Sequence, residues 1–189
     1  MADPWLTPRS PLDDLSLPVG DKFALADMPP AARFVFRGAE AARAACSTAF
    51  GVALPKALGA AGSAGERAAL WLGPDEWLLL AEGESAETVA AAIEAGLADV
   101  SHALVDVSHR QVALEVTGRD AARVLSAGCP LDLRTKSFPV GMATRTLFDK
   151  VDITLWRRGE TDFRIEVWRS FSPWLAAALT EAARGAPAA

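Results

Sequence analysis

Apolar and polar residues alternate along several short segments of the chain, with the period of two that is typical of half-buried β-strands. Turn-forming residues separate them, notably Gly-Pro-Asp-Glu at 73–76 and Arg-Arg-Gly-Glu at 157–160. Segments with this alternation, or with a short apolar run, are predicted as strands: residues 33–36, 68–72, 77–81, 104–107, 112–116, 143–148, 151–156 and 163–168.

Alanine-rich segments between these strands have helical character. They are predicted as helices over residues 39–50, 86–98, 119–127 and 173–184. Ser85 and Ser172 are the expected N-caps, and Pro173 suits the first position of the last helix. Gly51 and Gly128 are expected to end the first and third helices.

The order of these elements occurs twice, about 80 residues apart. Two similar segments that begin with glycine and lead into a helix, residues 38–43 and 118–123, each follow a strand. Two further similar segments, residues 75–80 and 161–166, each precede an alanine-rich helix. Such internal similarity predicts an α+β fold of two pseudo-symmetric repeats, each with antiparallel strands and with helices packed on one face. The repeats are expected at about residues 31–100 and 101–185.

Residues 1–30 precede the repeats and hold six of the chain's prolines. The segment predicts an extended N-terminal arm. Trp5 and several leucines make this segment too apolar for a solvated tail that packs against nothing, so we expect it to lie on a partner or on its own domain.

A glycine-rich stretch at 59–65 is predicted as a surface linker, since it lacks the Lys-Ser/Thr ending of a phosphate-binding loop. The net charge of −5 comes without a basic stripe, which argues against a nucleic-acid partner. Apolar runs are too short to span a bilayer, and the N-terminus lacks the pattern of a secretory signal. A cytoplasmic location is therefore expected, with Cys46 and Cys129 as reduced core residues.

The residue types that usually carry catalysis are sparse. His102 and His109 have no cysteine or carboxylate at metal-binding spacing, so no metal site is predicted. Ser108 and His109 are adjacent and would point to opposite faces of a strand, which excludes a nucleophile–base pair. Asp149 and Asp152 would likewise lie on opposite faces of a strand, so they would not share the cleft that an acid–base pair requires. No catalytic residue is expected, and His109 and Arg110 are assigned structural or interface roles.

Residues 105–110, 114–122 and 153–167 resemble the glycine-cleavage T-protein (aminomethyltransferase) family. That family is folate-dependent, and a glycine-bearing segment before the corresponding hairpin ends in an acidic pair that includes a folate-site aspartate. The chain departs there, since residues 147–152 contain no glycine, and Asp152 is the folate-site candidate that the resemblance implies. The C-terminal barrel of the T-protein also has no counterpart in the sequence.

A second resemblance is carried most specifically by residues 72–79, and residues 169–175 add to it. Over about residues 30–180 the chain resembles the gamma subunit family of heterotetrameric sarcosine oxidase. The resemblance implies alpha, beta and delta partner subunits that carry FAD, FMN, NAD, zinc and tetrahydrofolate, with no cofactor on this chain. It implies a complex that oxidatively demethylates sarcosine to glycine, reduces oxygen to hydrogen peroxide and transfers the one-carbon unit to tetrahydrofolate.

Three hypotheses stay open. The first is a non-catalytic gamma subunit, with Trp5, His109 and Arg110 as interface candidates. The second is a stand-alone folate-binding or aminomethyltransferase-like protein, which requires a pocket at the junction of the repeats with Asp152 facing it. The third is an interaction module with a different partner.

Overall fold

A computed structural model describes residues 9–185 of the chain. The strands are β1 (Ala24–Asp27), β2 (Ala31–Gly38), β3 (Ala61–Ala64), β4 (Arg67–Gly73), β5 (Glu76–Glu82), β6 (His102–Asp106), β7 (Gln111–Thr117), β8 (Ala143–Phe148), β9 (Val151–Arg157) and β10 (Asp162–Trp168). The helices are α1 (Glu40–Phe50), α2 (Ala86–Gly96), α3 (Ala121–Leu125) and α4 (Ser172–Arg184). Within this described part no helix is long and apolar enough to cross a membrane.

The strands form two five-stranded antiparallel sheets, as the α+β prediction requires. Sheet one has the order β3-β4-β5-β2-β6, and sheet two has the order β1-β7-β10-β9-β8. The series β3-β4-β5-β2 and β8-β9-β10-β7 occupy corresponding places in the two sheets. The duplication seen in the sequence is therefore a duplication of topology.

The remaining two strands are exchanged between the repeats. Strand β1 precedes repeat one but pairs with β7 in sheet two, whereas β6 precedes β7 but pairs with β2 in sheet one. Gly118 allows β1 to approach, because it has a φ of +109° and a Cβ there would lie 2.4 Å from the carbonyl oxygen of Lys22. The exchange means that each sheet contains a strand from beside the other repeat.

The predicted N-terminal arm is therefore not a separate extended segment throughout, because part of it is a strand of sheet two. Its residues 24–27 are an edge strand, and the side chains of Leu12, Phe23 and Leu25 are buried in the core of sheet two. Burial of these apolar side chains orders the segment on its own domain. Trp5 lies outside the described residues.

The layers follow from the alternation of side chains along each strand. In sheet one, Phe34, Phe36 and Trp77 pack against α1 and α2. In sheet two, Ile165 and Val167 pack in the cluster that includes buried residues of α3 and α4. The opposite faces of the two sheets meet, so the order of layers is helices, sheet one, sheet two, helices.

Some local predictions were confirmed and others were wrong. Ser85 caps α2 by accepting a 3.1 Å hydrogen bond from the backbone N–H of Thr88, and Gly51 ends α1 in the left-handed region with φ 75°. Ser172 does not cap α4. Its hydroxyl donates to the Arg169 carbonyl at 2.9 Å, because a 3₁₀ turn at Arg169–Phe171 leads directly into the helix.

The glycine-rich stretch at 59–65 is also more than the predicted surface linker. It contains the whole of β3, and its first residues bond to the chain at the start of β8 in the other sheet. The backbone N–H of Ala143 donates to the Gly59 carbonyl at 2.7 Å, and that of Ala61 donates to the Gly141 carbonyl at 3.0 Å. The two sheets are thus joined by backbone hydrogen bonds along this edge.

Candidate functional site

The junction between the two sheets contains a chain of buried charged side chains. Arg33 on β2 donates from Nε to the Glu166 carboxylate on β10 at 2.7 Å. The other oxygen of Glu166 accepts from Nε of Arg164 at 2.8 Å, and Nη1 of Arg164 bonds to Glu82 on β5. The side chains of Arg33, Glu166 and Arg164 are at most 2% exposed. Two cations and two anions therefore alternate across the interface of the repeats.

Two of these charges stand where the other repeat has leucine. In the sequence alignment of the repeats, Leu78 and Leu80 of β5 correspond to Arg164 and Glu166 of β10. The leucines belong to the apolar cluster between the sheets, so at these two positions repeat one is apolar and repeat two is charged. A charge buried at such a site must be paired, and the alternating chain provides the partners. The duplicated units therefore differ in chemistry at these two positions of the junction.

One cavity at the junction, of about 270 Å³, contains the folate-site candidate Asp152 in its lining and is called the Asp152 cavity. Val35 and Leu78 of repeat one contribute to the same wall, and Arg110 and Trp168 line it from repeat two. The side chain of Asp152 is exposed. The structure therefore places this carboxylate at a pocket between the repeats.

A second cavity, of about 380 Å³, also opens between the sheets and is called the Trp156 cavity. Arg164 and Trp156 line it from sheet two, and Arg67, Leu80 and Glu82 line it from sheet one. Sequence reasoning missed this site, because its two principal side chains lie on strands whose alternation indicated a solvent-facing side.

The two histidines and Ser108 do not form a catalytic group. His102 contacts the Val100 carbonyl with Nδ1 at 2.7 Å, and its ring lies 6.0 Å from that of Phe36. Ser108 donates to Asp106 at 2.6 Å and accepts from the backbone N–H of Arg33 at 2.9 Å, so its hydroxyl holds the turn after β6 against β2. His109 lies exposed in that turn.

The interface candidate Arg110 lies within an exposed aromatic patch, formed by Arg110, Trp168 and Phe171. Its guanidinium carbon is 5.4 Å from the centre of the Trp168 ring, and the Trp168 and Phe171 rings are 6.4 Å apart. Both rings are 46% exposed. Trp168 ends β10 and Phe171 ends the 3₁₀ turn, so rigid elements position both rings. Large aromatic side chains left exposed in this way are typical of contact surfaces.

The thiols have no environment that would activate them. Cys46 on α1 is fully buried, and burial raises its pKa to about 12, so it stays protonated near neutral pH. Cys129 is also buried, and neither cysteine forms a disulfide in the described part of the chain. Within residues 9–185 no group of three or more His, Cys, Asp or Glu side chains could hold a metal ion.

Comparison with known sequences gives consistent matches. The model of the sarcosine oxidase gamma subunit family matches residues 37–184. The sarcosine oxidase subunit gamma of Corynebacterium sp. (strain P-1) is 39% identical over 143 residues, which are 73% of this chain and 70% of that protein. The subunit gamma of Arthrobacter sp. is 36% identical over 146 residues, or 75% of this chain and 71% of that protein.

Comparison with solved structures extends the likeness to the whole fold. A chain of heterotetrameric sarcosine oxidase from Corynebacterium sp. U-96, in complex with pyrrole 2-carboxylate, matches with a TM-score of 0.87 and 30% identity. The match covers 96% of this chain and 99% of that chain. Aminomethyltransferase T of the glycine cleavage system from Bartonella henselae matches with a TM-score of 0.64 and 17% identity, over 84% of this chain and 45% of that chain, which shows a shared fold. The chain belongs to the sarcosine oxidase gamma subunit family.

Proposed function

We propose that this chain is the non-catalytic gamma subunit of a heterotetrameric sarcosine oxidase. In that complex it assembles with alpha, beta and delta subunits, which oxidatively demethylate sarcosine to glycine with tetrahydrofolate and oxygen. The observation that carries the proposal is the similarity, with a TM-score of 0.87, to a chain of such a complex over nearly the full length of both.

The distribution of charged groups at the junction supports a non-catalytic role. The carboxylates of Glu166 and Glu82 are each held by an ion pair with an arginine, and the hydroxyl of Ser108 is held by two hydrogen bonds. A general base or nucleophile needs a free lone pair directed at a substrate, whereas the two carboxylates accept from arginines and the Ser108 hydroxyl accepts from a backbone N–H. The proposal therefore assigns FAD, FMN, NAD, zinc and tetrahydrofolate to the partner subunits. The cytoplasmic location expected from the sequence stays a prediction.

The aromatic patch is the surface that we assign to a partner subunit. Arginine and large aromatic residues are enriched in the energetically important centres of interfaces. Arg110 already lies over Trp168, so an incoming surface would bury a preformed cation–π pair and lose little side-chain entropy. His109 follows Ser108 in the adjoining turn and extends the same surface.

Assembly is tested by co-expressing the four subunits and by omitting this chain from a parallel preparation. We expect a complex with sarcosine-dependent peroxide production only when the chain is present. The purified chain alone, given sarcosine and tetrahydrofolate, should show neither flavin absorbance nor peroxide. Turnover by the isolated chain would contradict the proposal.

The patch is tested with the double variant Trp168→Ala/Phe171→Ala. We expect its co-purification with the partner subunits to fall at least about tenfold, because central aromatic residues of an interface contribute about 2 kcal/mol or more each. Leu58→Ala is the matched control, since Leu58 is 77% exposed and lies in the loop before β3. Equal recovery of both variants would exclude the patch from the interface.

The folate-binding hypothesis has one observation in its favour, since Asp152 lines a cavity between the repeats. The Asp152 cavity of about 270 Å³ is, however, smaller than the roughly 300–1,000 Å³ of typical ligand pockets. Calorimetric titration of the chain with tetrahydrofolate distinguishes the hypotheses. Tight binding that Asp152→Asn abolishes would favour a folate-binding protein, and absence of heat would favour the gamma subunit.

A further inference from the structure

The described part of the chain begins beside the aromatic patch. Nη2 of Arg169 donates a hydrogen bond to the backbone carbonyl of Arg9. Arg169 lies between the two exposed rings of the patch, in the turn that joins β10 to α4. The backbone N–H of Arg169 donates to the Arg110 carbonyl at 2.8 Å, so the turn is fixed to the rest of the patch. Residues 1–8 therefore continue the chain from a point next to these rings.

The described part of the N-terminal arm already packs on its own domain. Leu12 is 2% exposed and Leu25 is 1% exposed, and both belong to the core cluster of sheet two. Leu17 is partly buried and packs against the same cluster. Each of these contacts removes apolar surface from water, which favours an arm that follows the domain. The same driving force acts on apolar residues before Arg9.

The composition of residues 1–8 supplies such apolar residues within reach. Trp5 and Leu6 are adjacent, and Asp3 is the single charged side chain of the segment. An extended chain spans about 3.3–3.6 Å per residue, so the Cα atom of Trp5 can lie up to about 14 Å from that of Arg9. Two of the eight residues are prolines, which reduces the conformational entropy that the segment loses on binding. Trp5 can therefore reach the patch at a small entropic cost.

The patch has the shape and charge to receive this segment. The rings of Trp168 and Phe171 are half-exposed, with centres 6.4 Å apart and planes inclined by 34°. A third ring packs favourably against such a pair at centre distances of about 4.5–7 Å. Arg110 lies over Trp168 and Arg169 donates to a carbonyl, and within residues 9–185 neither forms an ion pair. An acidic side chain next to the incoming ring would complement both arginines.

We infer that residues 1–8 bind to the aromatic patch of their own domain, with Trp5 packed against Trp168 and Phe171 and with Asp3 facing the arginines. Two interface candidates that are far apart in sequence, Trp5 and Arg110, then belong to one surface. A partner subunit that docks there meets three aromatic rings. The contact goes beyond the proposed function, because it forms in the isolated chain and does not depend on assembly.

The indole N–H resonances of the isolated, ¹⁵N-labelled full chain test this contact. The chain has six tryptophans, and the signal of Trp168 is identified by its loss in Trp168→Phe. Trp5→Ala should shift the Trp168 signal, because the ring current of a packed indole is removed. Thr7→Ala is the matched control, since it shortens a side chain of the same segment without removing a ring. The Trp77 signal reports the fold, because its N–H donates to the Pro55 carbonyl in the other sheet, and it should stay constant.

The outcomes separate this occupant from others. Asp3→Asn should move the Trp168 signal part of the way toward its position in Trp5→Ala, and no movement would overturn the placement of Asp3. A Trp168 signal that is unchanged in Trp5→Ala, or that shifts no more than in Thr7→Ala, would overturn the inference. So would a signal that reaches its Trp5→Ala position when the unmodified chain is diluted, because the ring on the patch would then come from a second copy. Each result is obtained without partner subunits, so it leaves the test of assembly independent.

Discussion

Replacement of Glu166 by glutamine should destabilise the chain far more than removal of an exposed charge. The carboxylate of Glu166 is fully buried and accepts from Arg33 at 2.7 Å and from Arg164 at 2.8 Å. Glutamine has nearly the same shape, but its amide nitrogen must then face one of two guanidinium N–H groups. Both arginines stay buried with less than their full counter-charge. Breaking a buried ion pair in this way costs about 3–5 kcal/mol.

The matched control lies on the same strand as Arg33. Arg37 pairs with Asp75 through side chains that are 56% and 55% exposed, and such pairs contribute about 0–1 kcal/mol. Urea unfolding followed by circular dichroism gives the free energy of unfolding of each variant. A domain of this kind has about 5–15 kcal/mol in total, so Glu166→Gln should lower the urea midpoint visibly and Arg37→Met should barely change it.

A double variant separates the ion pair from general damage to the core. Arg33→Met in the Glu166→Gln background removes one of the two competing donors, so the double variant should be more stable than the sum of the single losses by about 1–3 kcal/mol. Strictly additive losses would refute the alternating-charge account of the junction. So would a loss in Glu166→Gln no larger than that in Arg37→Met.

Three further outcomes follow from the packing. Gly118→Ala should lower the free energy of unfolding by more than about 1 kcal/mol, because alanine is strained at a φ of +109° and its Cβ would clash with the Lys22 backbone. Gly65→Ala has open space around a φ of +57°, so it should lower the free energy of unfolding by only about 1 kcal/mol or less in the same urea assay. Leu25→Ala should cost about 2–5 kcal/mol, since the side chain is 1% exposed; a loss typical of a surface site would show that β1 is not part of the core. Cys46 should react with a thiol reagent at pH 8 only as fast as the chain opens, and rapid labelling of the folded chain would contradict its buried position and a pKa raised to about 12.

Much of the topology could be predicted from the sequence because each repeat has local signals for its elements. The turn at 73–76 and the Ser85 cap are short-range features, and the structure has both where the sequence indicated them. The exchange of β1 and β6 has no such signal. Pairing of a short strand with a distant edge depends on which edge is free, and this is a property of the assembled sheets.

The faces of the strands were harder to assign than the strands themselves. Alternation in 163–168 correctly indicated one face with Ile165 and the other with Arg164 and Glu166. Charged residues on the second face usually indicate contact with water, but here a second sheet covers them. Only the stacking of the repeats converts these side chains into a buried ion chain, and stacking cannot be read from one strand.

The two repeats share an apolar outer face but differ at corresponding positions where they meet. On the outer faces both have kept apolar residues against their helices, as Trp77 and Phe163 show at equivalent positions. On the inner faces repeat one has Leu78 where repeat two has Arg164. If this junction served stability alone, leucines on both sides would serve at least as well, because apolar replacements of buried ion pairs are often neutral or stabilising.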